Sequence, residues 1–403
     1  MRRTSRLSLA LIVALLCGIT SVARADEETV KVTITVTVPK DTPADAKIYL
    51  AGNLDAAGRW KADGVEMNKV ESGDYQVELK LRKGQTLEYK ITRGSWETVE
   101  KGPNGEELEN RKLALDGEKN ETITVATWAK KSAPAKSTAT GDIRYHEHFA
   151  SKILGNERRL MVWLPPGYEK QPDRRYPVLY MHDGQNCFDA ATSFAGEWRA
   201  DETAAKLIAD GKIEPIIIVG IENAGSKRID EYTPTPDSTL NQGGHGAEYA
   251  KFVIDEVKPF IDQAYRTLSD REHTAVAGSS LGGLISLYLI EKRGDVFGKC
   301  AAISPTLNWD GRQLLTAIEK DRQWTARGPI RIWLDMGTAE GAGDDAMRSI
   351  DASRAMAVVL RRAGLAENKD FVYREFRGAA HNETAWAARF DQVLIFLFGR
   401  DGR

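Results

Sequence analysis

The chain has 403 residues, with 56 Lys and Arg against 58 Asp and Glu, for a formal net charge of −2. That balance excludes polyanion binding, and so nucleic acid, as the main task, while the length allows two domains or one large domain with an addition. Three cysteines are too few for a disulfide scaffold, and neither a CxxC nor an HExxH pattern occurs.

In chain order, the first feature is a basic start at Arg2, Arg3 and Arg6, followed by an apolar run from Leu7 to Ile19. Ala23-Arg24-Ala25 then supplies the small residues that a signal peptidase reads, so residues 1–25 form a secretory signal cleaved after Ala25. The expected location is periplasmic or extracellular. The run is too short to span a bilayer comfortably. Leu15-Leu16 before Cys17 does not suit lipid anchoring, and no other stretch is long and apolar enough to cross a membrane.

"TVKVTITVTV" (29–38) alternates strictly, with Val30, Val32, Ile34, Val36 and Val38 on one face. "YQVELKLR" (75–82) repeats the pattern with Tyr75, Val77, Leu79 and Leu81. Shorter strand signals lie at 48–50, 87–91 and 123–125, punctuated by Gly, Asn and Asp. Residues 26–128 therefore predict a small antiparallel β-sandwich. "AKKSAPAKSTATGD" (129–142) lacks large apolar residues and reads as a linker.

Beyond it, apolar strands alternate with helical stretches. "RLMVWLP", "YPVLYMH", "PIIIVGI", "HTAVAG", "CAAIS", "IRIWLDMG" and "FVYREF" are strands, several apolar on both faces as in a covered parallel sheet. "EYAKFVIDEVKPFI" and "LGGLISLYLIEK" are helices between them. Residues 143–403 thus predict one α/β domain with a mostly parallel sheet. Cys187 and Cys300, which the mature chain would keep, each adjoin a predicted buried strand. A lone cysteine there is a small apolar residue, and whether the two pair stays open. The six histidines do not cluster at zinc-like spacing, and His146 and His148 read as strand surface, so neither metal nor cofactor is required.

"AVAGSSLGG" (275–283) holds Gly278-Ser279-Ser280-Leu281-Gly282, a G-x-S-x-G arrangement between a strand and a helix. Ser280 is the central serine and the candidate nucleophile. Glycines flank it because helix and strand backbones come too close there for side chains. Ser279 is a packing or hydrogen-bonding neighbour. A serine hydroxyl needs a base, and the base an orienting acid. His381, in "FRGAAHNETAW", is the sole histidine after Ser280. The acid is expected after "IRIWLDMG", where Glu340 comes first in the loop and Asp344 is the alternative. Asp335 lies inside the strand end. Two backbone N–H groups must meet the oxyanion. Those of Leu281 and of Gln185, after the Asp183-Gly184 turn, are the candidates. His182 is structural in this reading. Trp198 and Arg228 are candidate pocket residues, Arg228 equally a surface ion-pair partner.

"LYMHDGQNCFD", "IVGIENAGSKRIDEYTP", "AVAGSSLGGLISLYL", "IWLDMGTAEG" and "GAAHNETAW" together resemble the putative esterase family of α/β-hydrolases, which includes enterochelin, feruloyl, acetyl-xylan and D-type esterases. The resemblance spans about 143–399. It implies the α/β-hydrolase fold, with Ser280 as nucleophile, His381 as base and Glu340 where many relatives carry Asp. "IYLAGNLDAAGRW" and "LEYKITRGSWETVEKG" in the front domain resemble immunoglobulin-like early-set and starch-binding-like modules. Trp60 and Trp96 would stack on sugar rings or fill a sandwich core.

The leading expectation is a secreted serine esterase acting through an acyl-enzyme on a polysaccharide-linked feruloyl or acetyl ester. The alternatives are a siderophore or small-ester hydrolase, a peptidase within the same fold, and, from another class, a non-catalytic glycan-binding protein. Oligomeric state is not legible.

Overall fold

The computed structural model describes residues 28–106, 108, 110–129, 136–193, 196–321, 324–340 and 344–400. The expected signal segment and residues 130–135 of the expected linker lie outside the described residues.

The front part is built from two four-stranded sheets. One orders Asn68–Lys69, Tyr75–Arg82, Thr29–Thr37 and Lys119–Thr124; the other orders Val65–Glu66, Tyr49–Gly52, Thr86–Thr92 and Arg111–Ala114. The alternation in the sequence becomes their shared core. Val30, Val32, Ile34 and Val36 are buried, and Ile34 pairs with Val77 and Val32 with Leu79. A shift of one residue would expose this whole set, which fixes the register. One pairing departs from the antiparallel expectation: Thr29–Thr37 runs parallel to Lys119–Thr124. A parallel pair needs a crossover rather than a hairpin, and the second sheet supplies it. The strand Arg111–Ala114 escaped the sequence reading, because only Leu113 faces inward there and no apolar alternation marks it.

The second part holds an eight-stranded sheet. Its order is Asp142–Ala150, Glu157–Leu164, Ile217–Ile221, Val178–His182, Thr274–Ser279, Lys299–Ile303, Arg331–Gly337, Phe371–Phe376. Glu157–Leu164 is antiparallel to both neighbours, and the last six strands are parallel. Both faces are covered, as the apolar runs predict. Leu160, Val162 and Leu164 enter one core, while Met161 and Trp163 enter the other. Likewise Val276, Cys300 and Leu334 point to the first and Ala275, Ala301 and Trp333 to the second. Each fully buried large apolar side chain contributes about 1.5–3 kcal/mol, so the two layers of helices fix which way each strand faces. Cys187 and Cys300 are buried and free, one in each core. Among the described residues, no helix is long and apolar enough to cross a membrane.

The two parts touch. Gln242 Nε2 donates to the Asn53 carbonyl at 2.5 Å, and Thr86 N–H donates to the Thr239 carbonyl at 3.2 Å. Asn53 is buried, its Oδ1 accepting from Glu88 N–H at 2.9 Å and its Nδ2 donating to the Thr86 carbonyl at 3.0 Å. Asn53→Ala strands two backbone groups at this seam, at about 1–3 kcal/mol for each one left without a partner. The expected outcome is a loss of about 2 kcal/mol or more in urea unfolding of the front domain. An unchanged midpoint would show that water replaces the amide without cost.

Candidate active site

In a parallel sheet the segments leaving the carboxyl ends of the strands gather on one edge, which is where open α/β sheets bind ligands. Here that edge carries Asp183, Ser280, Ser304, Glu340 and His381, each in a segment that follows a different parallel strand.

Ser280 sits between the strand Thr274–Ser279 and the helix Leu281–Lys292 with φ 57° and ψ −124°. A non-glycine residue at positive φ is strained by about 1–3 kcal/mol and persists only where the surroundings hold it. They do so here. Ser280 N–H donates to the Ile303 carbonyl at 3.1 Å, and the Ser280 carbonyl accepts from the N–H groups of Gly283, Leu284 and Thr306, each at 3.1 Å. The need for glycine is geometric. A Cβ on Gly278 would lie 2.7 Å from the Gly282 carbonyl carbon, and one on Gly282 would lie 3.3 Å from His182 Cβ. Ser279 is buried, whereas Ser280 is partly exposed at the head of the helix.

His381 Nδ1 lies 2.8 Å from Glu340 Oε2. Glu340 is only 5 % exposed, and its Oε1 accepts from Gly337 N–H at 2.7 Å and from the Ser304 hydroxyl. The His381 ring stands edge-on to Trp386, centroids 5.0 Å apart, and Trp386 Nε1 donates to Ser304 Oγ at 3.1 Å. Ser280 Oγ is 3.2 Å from Thr306 Oγ1. Among the described residues no hydrogen bond joins His381 to Ser280. Residues 303–306 bond to both sides: Ile303 and Thr306 to Ser280, and Ser304 to Glu340 and Trp386. Such contacts are commonly long before substrate arrives. Asp344 opens the helix Asp344–Arg362, and its side chain lies outside the described residues.

Asp335 is fully buried and belongs to the scaffold of this loop. Arg389 holds it at 2.8 Å (Nη2 to Oδ1) and 3.2 Å (Nε to Oδ2), Trp333 Nε1 donates to it at 2.7 Å, and Arg389 Nη2 also reaches Ser304 Oγ at 2.7 Å. Arg389 and Ser304 were missed in the sequence. An arginine in "ETAWAARF" carries no signal that it points inward.

On the other side of Ser280, Asp183 adopts φ 56° and Gly184 follows. A Cβ on Gly184 would lie 2.4 Å from the Gly220 carbonyl carbon, so the turn packs directly on the neighbouring strand. The N–H groups of Gln185 and Leu281 donate to no backbone or side-chain acceptor among the described residues. Arg228 grips Asp183 with two bonds of 2.7 Å, Nε to Oδ1 and Nη2 to Oδ2, and Asn223 Nδ2 adds a third at 2.7 Å. Burial opposes the charge on Asp183, but Arg228 more than offsets it and holds the carboxyl below its usual range. Arg228 is thus committed to this turn. Trp198, read as a pocket residue, is 2 % exposed and packs on Trp386 and Phe390 beneath the histidine loop, where it offers no face to a substrate. His182 is buried, with Nδ1 2.9 Å from the Tyr249 hydroxyl, and burial lowers its pKa to about 3, so it stays neutral. None of these site residues belongs to the cluster of close metal-ligating side chains found among the described residues.

A family model described as Putative esterase matches residues 151–397, and one described as Starch binding domain matches residues 29–125. The chain is similar to the uncharacterized protein YbbA of Bacillus subtilis (strain 168), 25% identical over 258 residues that cover 62% of this chain and 96% of YbbA. It is also similar to the endo-1,4-beta-xylanase/feruloyl esterase of Xylanibacter ruminicola, 33% identical over 161 residues, covering 39% of this chain and 20% of that protein. Among solved structures it shares its fold with the enterobactin esterase FES from Shigella flexneri. There the TM-score is 0.51 at 16% identity, covering 93% of this chain and 94% of that one.

One buried acid next to the site titrates abnormally. Glu383, two residues after His381, accepts from Asn186 Nδ2 at 3.0 Å and so joins the histidine loop to the Gly184–Asn186 turn. Burial, helped by the charge of Asp183, raises its pKa from 4.5 to about 7. A carboxyl with a raised folded pKa stabilises the fold while protonated, and that stability is lost as pH rises from about 4.5 through 7. Glu383→Gln should remove this dependence and gain about 3 kcal/mol relative to the parent above pH 7. Urea unfolding at pH 5 and pH 8 measures it, and parallel curves for the two proteins would contradict it.

Proposed function

Because the chain belongs to the Putative esterase family, we propose that it is an exported serine esterase that hydrolyses a carboxylic ester joined to a polysaccharide. The observation that carries this reading is the 2.8 Å contact between His381 and the buried Glu340, at the sheet edge where the strained turn presents Ser280.

In this mechanism His381 keeps its proton on Nδ1, facing Glu340, which leaves Nε2 as the base. Ser280 Oγ attacks the ester carbonyl carbon as His381 Nε2 takes its proton. The negative charge that develops on the carbonyl oxygen is met by the N–H groups of Leu281 and Gln185 and by the helix N-terminus. The C–O bond to the alcohol breaks, and the departing oxygen takes the proton from His381. Water, deprotonated by His381, then attacks the acyl-enzyme carbonyl and releases the acid and free Ser280. Glu340, facing Nδ1, orients the ring and stabilises the imidazolium. No metal or cofactor takes part in these steps.

The front domain supports the polysaccharide part of the reading. Trp60 and Trp96 lie 6.5 Å apart at 41°, Trp96 is 42 % exposed, and neither joins the buried core. An exposed ring beside a half-buried one, in a domain that matches the starch-binding model, suits the apolar faces of sugars. The secretory signal read in residues 1–25 supports export to where such polymers are found.

Ser280→Ala should reduce kcat for p-nitrophenyl acetate by roughly 10⁶-fold, and Glu340→Gln should reduce it by roughly 10³–10⁴-fold by favouring the wrong imidazole tautomer. Equal rates for the parent and Ser280→Ala would end this reading. A panel of feruloylated, acetylated and siderophore esters then ranks the substrate classes. Trp96→Ala should weaken retention on insoluble starch by about tenfold, the equivalent of one lost apolar contact face, with soluble-ester hydrolysis unchanged. A parent chain that passes unretained would reduce the two rings to surface packing.

A further inference from the structure

Glu197, Asp201 and Glu202 take no part in the chemistry above. One carboxylate oxygen of each lies within 4.8 Å of the others. Each acid also commits an oxygen elsewhere. Glu197 Oε2 accepts from Thr138 Oγ1 at 2.9 Å, Asp201 Oδ2 from Thr140 N–H at 2.6 Å and Oγ1 at 2.8 Å, and Glu202 Oε1 from Arg199 Nε at 3.4 Å. The remaining oxygens, Glu197 Oε1, Asp201 Oδ1 and Glu202 Oε2, are buried and meet no donor. Asp201 as a whole is 0 % exposed.

Acids in the first turn of the helix Ala200–Ala209 would be ordinary singly, since they suit the helix dipole. That does not account for a wholly buried carboxylate with a bare oxygen, crowded by two more acids whose bare oxygens are also buried. A buried acceptor without a donor costs about 1–3 kcal/mol, more when charged. Among the described residues the cation beside them is Arg199, whose side chain is 64 % exposed, which bonds Glu202 and whose charge also acts on Glu197.

We propose that Glu197, Asp201 and Glu202 bind a hard divalent cation, Ca²⁺, and that this ion fastens the segment carrying Thr138 and Thr140 to the esterase domain. The donors are all oxygen, which selects hard cations over thiolate- or imidazole-preferring metals. A Ca²⁺ ion about 2.3–2.6 Å from each ligand needs oxygens no more than about 5 Å apart, and these meet that limit. Mg²⁺ suits the site less well, because it keeps most of its water and takes one or two carboxylates. The ion would sit beside Trp198, whose ring packs on Trp386 under His381. Its expected effect is therefore on stability first.

The test uses the whole purified chain, stripped with EDTA and dialysed. Calorimetric titration with CaCl₂ should give one ion per chain, and the thermal midpoint should rise by about 2 °C or more, with a smaller rise in MgCl₂. Glu197→Gln, at a half-buried position, should lose both the heat and the shift while keeping its p-nitrophenyl acetate activity. A stripped parent chain that shows neither heat nor a shifted midpoint with Ca²⁺ overturns the proposal and leaves a proton shared by Asp201 and Glu202 as the counter-charge. Equal Ca²⁺ binding by the parent and Glu197→Gln overturns this ligand set. Neither readout depends on whether Ser280 is a nucleophile.

Discussion

Arg389 is the residue on which the geometry of the histidine side depends. Its side chain is 2 % exposed and donates four hydrogen bonds, to Asp335, Ser304 and the Ala385 carbonyl. Asp335 lies near the end of the strand Arg331–Gly337, Ser304 follows another strand, and Arg389 itself precedes the closing helix Phe390–Phe398. One side chain thus pins three separate stretches of chain. A buried ion pair of this kind adds little net stability over apolar packing, but losing one partner costs about 3–5 kcal/mol. Its value is positional. Ser304, so fixed, donates to Glu340 and accepts from Trp386, and these two hold His381, Glu340 at Nδ1 and Trp386 through a T-shaped ring contact. The pose of the imidazole is therefore set from beneath, by groups no substrate touches.

The opposite side is held by a second buried pair of different character. Asp183 and Arg228 meet through two parallel bonds, and the turn they fix packs its glycine against the backbone of the next strand. Backbone donors can be aimed only by fixing the backbone. A strained Asp183, a glycine with no room for a Cβ and a paired arginine together achieve that for Gln185. The Ser280 turn is governed by the same rule, with positive φ, close-packed glycines and a carbonyl that accepts three N–H groups. Strain at both turns, about 1–3 kcal/mol each, is carried by the two cores that cover the sheet.

The front domain is joined to this arrangement on its rim. Asn53 and Thr86 contact Gln242 and Thr239, and the same stretch of chain reaches Trp309, whose Nε1 donates to the Thr235 carbonyl at 2.7 Å. Trp309 lies three residues from Thr306, the neighbour of Ser280. A glycan held at Trp60 and Trp96 would thus be held on a module seated against the esterase domain. Such coupling raises the effective concentration of esters along one polymer without any new contact at the site.

Local patterns in the sequence were enough for most of the elements and for the family resemblance, though not for the short strand Arg111–Ala114. Alternation at 29–38 and 75–82 fixed buried faces, two-sided apolar runs predicted a covered parallel sheet, and G-x-S-x-G between strand and helix marked Ser280, because each is written in neighbouring residues. His381 could be singled out because no other histidine follows Ser280. Only the folded chain decided what depends on residues far apart. It chose Glu340 as the partner of His381, committed Arg228 to Asp183, drew Trp198 into the core, turned Trp96 outward and buried Arg389. It also set Lys119–Thr124 parallel to the first strand. A charge or an aromatic ring has no preferred address in the sequence; its place is fixed by which distant group arrives to pair with it or cover it.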